Sequence, residues 1–111
     1  MERDEASLVD IARAARFVLE FKAGMDQEAF FEDFKTQSAV LHQLMIIGEA
    51  VKRLSAAFRS HHPHVPWALI AGMRDKLIHG YDIVDLEEVW RTVEADVPDL
   101  LSQIEALLPD Q

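Results

Sequence analysis

The chain has no cysteine, which excludes a disulfide framework, a thiol nucleophile and any thiolate-bound zinc. No apolar run approaches the ~20 residues that span a bilayer. The opening Met1-Glu2-Arg3-Asp4-Glu5 is charged and lacks the apolar stretch of a secretory signal, so a cytoplasmic location is expected. Basic residues are scarce. Eleven Lys and Arg against 20 Asp and Glu leave a net charge of −9, which argues against a general grip on nucleic acid, because phosphates must be neutralised by cations. Half of the 111 residues are apolar, so the chain is no disordered acidic tail. Its length fits one domain, 1–111, with a core that hides roughly two-thirds of the unfolded surface.

The shortage of positive charge is uneven. Residues 1–81 hold ten basic and eleven acidic residues; residues 82–111 hold nine acids and Arg91 alone. The acidity therefore belongs to the end of the chain, as a solvated helix face or a surface for a basic partner. Upstream lie basic spots at Lys52, Arg53 and Arg59, followed by His61, His62 and His64.

Helical periodicity runs through almost the whole sequence. Leu8, Ile11, Ala12, Ala15, Val18, Leu19 and Lys22 follow i, i+3, i+4 spacing, and Phe17 and Phe21 widen the stripe, which predicts a first helix packed on two sides. Gly24 breaks it. Asp26 reads as the cap of a short helix carrying Phe30, Phe31 and Phe34. A third helix is predicted from Val40 through Leu44, Ile47, Gly48, Val51 and Leu54 to Phe58, with Gly48 marking close approach of another element. Pro66 suits the first turn of a fourth helix running from Trp67 to about Ile78, stopped by Gly80, with a turn at 82–85. The last helix uses Leu86, Val89, Trp90, Val93, Val97, Leu100, Ile104 and Leu107; Pro98 predicts a kink in it, with Asp96 a cap for the following segment. With no strand pattern and no repeat, the expectation is all-α: an antiparallel bundle of four or five helices.

The chemistry concentrates in Gly72-Met73-Arg74-Asp75-Lys76-Leu77-Ile78-His79-Gly80-Tyr81. On an unbroken helix Arg74 falls about 40° from Ile70 and about 60° from Leu77, inside the apolar face. A guanidinium there either snorkels to water or is held in a cleft by an anion. His79 would point about 140° away from Arg74 unless the helix ends between them or two subunits share the site. A histidine at a helix C-terminus also complements the dipole, so alone it carries little. As a pair, an arginine that grips a phosphate and a histidine that moves protons suit RNA cleavage by the ribose 2′-OH. There is no H-E-x-x-H and no carboxylate cluster at ligand spacing, so no metal site is expected; His61, His62 and His64 read as a polar loop.

The segment R-D-K-L-I-H-G-Y resembles the Arg-x4-His-x-Tyr motif of HepT-like toxins in the HEPN superfamily. Ile46-Ile47-Gly48-Glu49-Ala50 with Lys52-Arg53-Leu54 is similar to that family's central helix. His62-Pro63-His64-Val65-Pro66-Trp67 resembles its proline–tryptophan linker, and Trp90 with Val97-Pro98-Asp99-Leu100 its last helix. The resemblance implies a HEPN-like helical bundle that forms a homodimer with the motif in a cleft near the two-fold axis. It implies a metal-independent ribonuclease without cofactor, the toxin of a type VII toxin–antitoxin pair. Its partner would be an MntA-like nucleotidyltransferase antitoxin that adenylylates the motif tyrosine.

Residue by residue, the resemblance makes Arg74 and His79 catalytic, Asp75 an accessory polar residue and Tyr81 the adenylyl acceptor. Tyr81 is the sole tyrosine, and without that role it is a wedge closing the bundle. Glu49 is a support for Arg74 or a solvent-facing glutamate; Lys52, Arg53 and Lys76 are candidate support or RNA contacts. Two other functions stay open: a non-catalytic substrate- or nucleotide-binding subunit of a nucleotidyltransferase, which the acidic end favours, and a purely structural bundle, which gives Arg74 no purpose.

Overall fold

The computed structural model describes residues 2–78 and 83–109. The chain forms the expected all-α bundle. Its helices are α1 (Glu2–Lys22), α2 (Gln27–Glu32), α3 (Phe34–Arg53), α4 (Ala56–His61), α5 (Trp67–Ala71), α6 (Met73–Leu77), α7 (Leu86–Arg91) and α8 (Val97–Leu107), with a π-helical turn, Thr92–Asp96, joining the last two. The one β feature among the described residues is an isolated antiparallel bridge between Ile78 and Val84.

Three long stretches build the core: α1, α3, and α7 with α8. The α1 stripe is buried as its spacing requires, with Leu8, Ile11, Ala12, Ala15 and Val18 hidden from water. Opposite them α3 buries Val40, Leu44, Ile47 and Val51. Each such aliphatic side chain contributes about 1.5–3 kcal/mol over leaving it exposed. The start of α1 meets the end of α3, since Arg3 Nε donates to the Arg53 carbonyl at 3.1 Å, so the two run antiparallel. Arg16 pairs with Glu105 at 2.8 Å and Lys22 with Glu94 at 3.3 Å, which sets α1 antiparallel to the last helical stretch as well. Lys22 completes its stripe by lying over the Trp90 ring, 5.5 Å from its centroid. On the outer side of α1, Phe17 and Phe21 stack on each other at 5.7 Å and stay half-exposed, so the second packing side is open in the single chain.

Local signals held where they were strong. Gly24 takes φ +79°, the left-handed conformation that suits glycine after a helix. The Asp26 carboxylate accepts the Ala29 N–H at 2.8 Å and starts α2. The structure differs at four points. Phe34 opens α3 and is exposed; it is no part of the short helix, because Asp33 caps a new one by accepting from Thr36 N–H at 2.9 Å. The third helix ends at Arg53, and Phe58 belongs to α4. Ser55 causes that break: its Oγ accepts the Phe58 N–H, while its own N–H and hydroxyl both donate to the buried Asp4 carboxylate at 2.8 Å. The predicted helix from Trp67 to Ile78 is interrupted at Gly72, whose backbone sits in the bridge region (φ −92°, ψ 6°). Asp96 caps nothing, because its backbone is helical and its carboxylate faces Arg91 at 3.5 Å.

The π-helical turn explains how the last helix tolerates Pro98. The Val97 N–H reaches back five residues to the Thr92 carbonyl, and α8 starts there with the proline in its first turn. A residue without an N–H is harmless in that position.

Gly48 does mark a crossing. A Cβ added there would lie 3.5 Å from the Ile70 carbonyl oxygen and 3.7 Å from that of Ala71. These are ordinary contacts, so an alanine fits and a longer side chain does not. Gly48→Ala is expected to raise stability by up to about 1 kcal/mol through helix propensity, and Gly48→Leu to lower it, both read from urea denaturation.

Asp4 is the second test. The Ser55 N–H bonding to it holds its carboxyl below the usual carboxylate range, with the Ser55 hydroxyl adding to the effect. The ionised form is therefore favoured in the folded chain. Its contribution is present at neutral pH and is lost as pH falls through the lowered folded value, below about 4. Asp4→Asn should lower Tm at pH 7, and the gap to the parent protein should narrow as acid titrates the parent.

Candidate active site in the 74–81 segment

Arg74, Asp75 and Lys76 ride on α6, a helix of only five residues. Such a helix has room for one anchor, and Leu77 is it, 1% exposed in the core. The chain leaves α6 through two backbone contacts. The Leu77 carbonyl accepts the Asp85 N–H at 2.8 Å, and Ile78 bridges to Val84. Asp85 then caps α7 by accepting the Glu88 N–H at 3.2 Å. The two ends of the 79–83 span are thus fixed to each other and to α7. His79, Gly80, Tyr81 and Asp82 lie outside the described residues, so the expected stop at Gly80 and the convergence of His79 on Arg74 do too.

The apolar-face position expected for Arg74 does not hold. Its side chain is 56% exposed, and its one ion pair among the described residues is with Asp75 at 3.5 Å, itself in water. The reason is the interruption at Gly72: the 100° per residue count from Ile70 to Arg74 loses its meaning across a break. Arg74 is the snorkelling alternative, a guanidinium presented to solvent with most of its donors available.

Lys76 leans the other way. It pairs with Glu88 of α7 at 3.4 Å, and Glu88 also accepts from Arg91 Nη2 at 2.9 Å. The Arg91 hydrogen bond, with the charges of Arg91 and Lys76, holds the Glu88 carboxyl below the usual range. Sequence reasoning missed this ladder. The i, i+3 spacing of Glu88 and Arg91 was a signal for half of it, and the Lys76 link needed the fold. A phosphate reaching Lys76 competes with Glu88.

The α3 candidates stand apart from Arg74. Glu49 pairs with Lys52 at 3.4 Å, both exposed, and Arg53 is engaged through its backbone carbonyl. No ion pair joins Glu49 to Arg74 among the described residues. Lys52 lies one turn along α3 from Gly48, toward the end where Phe58 meets Trp67, whereas α5 and α6 lead away from that end to Arg74. The three loop histidines make local contacts. His61 Nδ1 donates to the Ala57 carbonyl at 2.7 Å, His62 packs tilted against Phe58 at 4.6 Å with His64 edge-on to it at 5.9 Å, and the His62 carbonyl accepts the Trp67 indole N–H at 2.9 Å. Behind α6 lies a cleft of about 280 Å³, walled by Ile47, Ile70, Met73, Val97 and Leu100, with Lys76 at its rim.

A family model described as ribonuclease HepT-like matches residues 11–107, including the whole motif. The chain belongs to the HepT-like family. It is similar to a protein named "Probable ribonuclease HepT" from Thermococcus cleftensis, 46% identical over 90% of this chain and 91% of that one. A candidate RNase of Methanocaldococcus jannaschii is 38% identical over 96% of this chain and 91% of its own length. Another, from Caldanaerobacter subterraneus, is 40% identical over 97% and 96%. No solved structure matches. In this HepT-like chain the motif arginine is solvent-exposed and the segment after it is tied to α7.

Leu77 should therefore be the most sensitive non-polar position of the motif. Leu77→Ala is expected to cost about 2–5 kcal/mol in chemical denaturation. It should also speed amide hydrogen exchange at Asp85, whose partner is the Leu77 carbonyl.

Proposed function

We propose that this HepT-like chain is an RNA endonuclease that needs no metal, acting as a homodimer in the cytoplasm as the toxin of a type VII toxin–antitoxin pair. The observation that carries the reading is Arg74: an exposed guanidinium, with only a solvated aspartate beside it among the described residues, followed in the sequence by the motif residues His79 and Tyr81. Burial of a paired arginine would have suited a structural role instead.

In the proposed reaction the ribose 2′-oxygen attacks the adjacent phosphorus and the 5′-oxygen leaves. The products are a 2′,3′-cyclic phosphate and a 5′-hydroxyl, and no water is consumed in that step. Arg74 binds the two non-bridging oxygens and stabilises the charge that grows on them. His79 takes the 2′ proton or delivers one to the leaving oxygen. Asp75 orients the guanidinium fork, and Lys76 offers a further cation to the strand. Glu49, in contact with Lys52, is a support on the α3 side.

Tyr81 is the proposed point of control. An MntA-like nucleotidyltransferase would transfer AMP from ATP to its hydroxyl, releasing pyrophosphate. The phosphodiester so formed carries negative charge two residues from His79, where it repels substrate phosphate and blocks its approach.

Purified protein in EDTA should cut RNA and leave 2′,3′-cyclic ends. His79→Ala should lower cleavage by about 10²–10⁴ and Arg74→Ala by about 10²–10³, with unchanged circular dichroism. Cleavage that survives in folded His79→Ala would remove the histidine from the chemistry. An absence of toxicity when the gene is expressed without its partner would favour a binding subunit.

A further inference from the structure

Glu88 touches the chain on both sides of the 79–83 span. Its side chain pairs with Lys76, before the span, at 3.4 Å. Its backbone N–H donates to the carboxylate of Asp85, after the span, at 3.2 Å. Asp85 in turn gives its own N–H to the Leu77 carbonyl at 2.8 Å, and Ile78 bridges to Val84. Among the described residues the Lys76–Glu88 pair is the one ion pair that ties α6 to another helix, since Arg74 pairs within α6.

An exposed pair of this kind adds little to stability. What it adds is a second point of attachment. Leu77 is the single core anchor of α6. One apolar anchor fixes where a short helix sits and leaves its rotation about that point to other contacts. The Lys76–Glu88 pair lies off the anchor. Glu88 is itself held firmly: Arg91 Nε and Nη2 both donate to its Oε2, at 3.3 and 2.9 Å, and Arg91 also reaches Asp96 at 3.5 Å. The same Arg91 contacts hold the Glu88 carboxyl below its usual range, so it is charged at neutral pH. The carboxylate is the less exposed partner, 32% against 59% for Lys76, so the fixed end of the pair is on α7. An ammonium has three donors, and one suffices for Glu88.

We infer that Glu88 is a positioning residue for RNA cleavage: by holding Lys76 to α7 it fixes the orientation of α6, the helix that carries Arg74, and the chain's exit from α6 at Ile78. The inference rests on the nuclease reading for the reaction it serves. Glu88 lies outside the Arg74–Tyr81 motif and acts through Lys76, without touching substrate. A displacement of about 1 Å in a positioned group can cost about a hundredfold in rate, so a contact worth little to stability can matter much to turnover. A mere surface acid would behave differently. It would repel RNA phosphates, and its removal would tighten binding and leave turnover alone.

The test measures steady-state cleavage of a single-stranded RNA in EDTA by the full chain. Glu88→Ala should lower kcat by about tenfold to a hundredfold, with a smaller change in KM. Added to Lys76→Ala, it should cost nothing further, because Glu88 acts through Lys76. Glu105→Ala removes another exposed pair, with Arg16 at 2.8 Å, and should leave kcat unchanged. A second readout needs no cleavage. Hydrogen exchange at the Asp85 amide, which reports closure of α6 on α7, should quicken in Glu88→Ala while the Ile104 amide keeps its rate. If Glu88→Ala loses helicity, Glu88→Gln, which keeps an acceptor for Lys76 and Arg91 and drops the charge, should change kcat and exchange in the same direction. A lower KM with unchanged kcat would overturn the inference, as would an Asp85 amide that exchanges at the parent's rate. A parent chain that cuts no RNA, with the Asp85 amide still quickened in the variant, would sink the nuclease reading and leave α6 held by Glu88.

Discussion

Leu77 couples the site to the rest of the molecule. Its side chain is the single core anchor of α6, and its carbonyl receives the N–H of the residue that caps α7. Together with the bridge from Ile78 to Val84, that contact ties the end of α6 to the start of α7. The same economy leaves Arg74, one turn earlier, with nowhere to go but water. A five-residue helix turns barely more than once. Arg74 lies three residues before Leu77, a neighbour on the same helix surface, and its long side chain carries the guanidinium out to water. The helix is short because Gly72 separates it from its predecessor.

Much of the fold was legible in the sequence because its signals are local. The α1 stripe, the Gly24 break and the Asp26 cap each depend on residues within a turn or two, and each appears where the spacing put it. The breaks at Ser55 and Gly72 were not legible in the same way. Ser55 becomes a cap because Asp4 arrives from 51 positions away. No periodicity over residues 40–58 reports that. The Lys76–Glu88 pair is hidden for the same reason. For the site, the motif was legible as a string of residue types. The exposure of Arg74 was not, since the wheel assumed a continuous helix. The residues with assigned roles at 79 and 81 lie outside the described structure, and their roles rest on family resemblance and proposal.

The charge distribution gains meaning once the fold is known. Counted along the chain, residues 82–111 are strongly acidic. Counted in space, Glu94 and Glu105 are answered by α1, and Glu88 by Lys76 and Arg91. These pairs are exposed, so each is worth little in stability. Their effect is on the field. They set Arg16, Lys22 and Lys76 against the acids of the last helical stretch and leave Arg74 outside that pairing.

The π-helical turn at Thr92–Asp96 has a consequence for how the last helix divides its labour. An extra residue in one turn advances the helical phase by about 100° beyond what a regular count allows. The stretch before it and the stretch after it can therefore aim their apolar faces at different neighbours while remaining one rod. The first half, through Val89 and the half-buried Trp90, meets α2 and α6. The second, through Leu100 and Ile104, meets α1. Seen in this way the turn is a phase shifter, and it lets a single helix brace both the bundle and the short element that carries the motif.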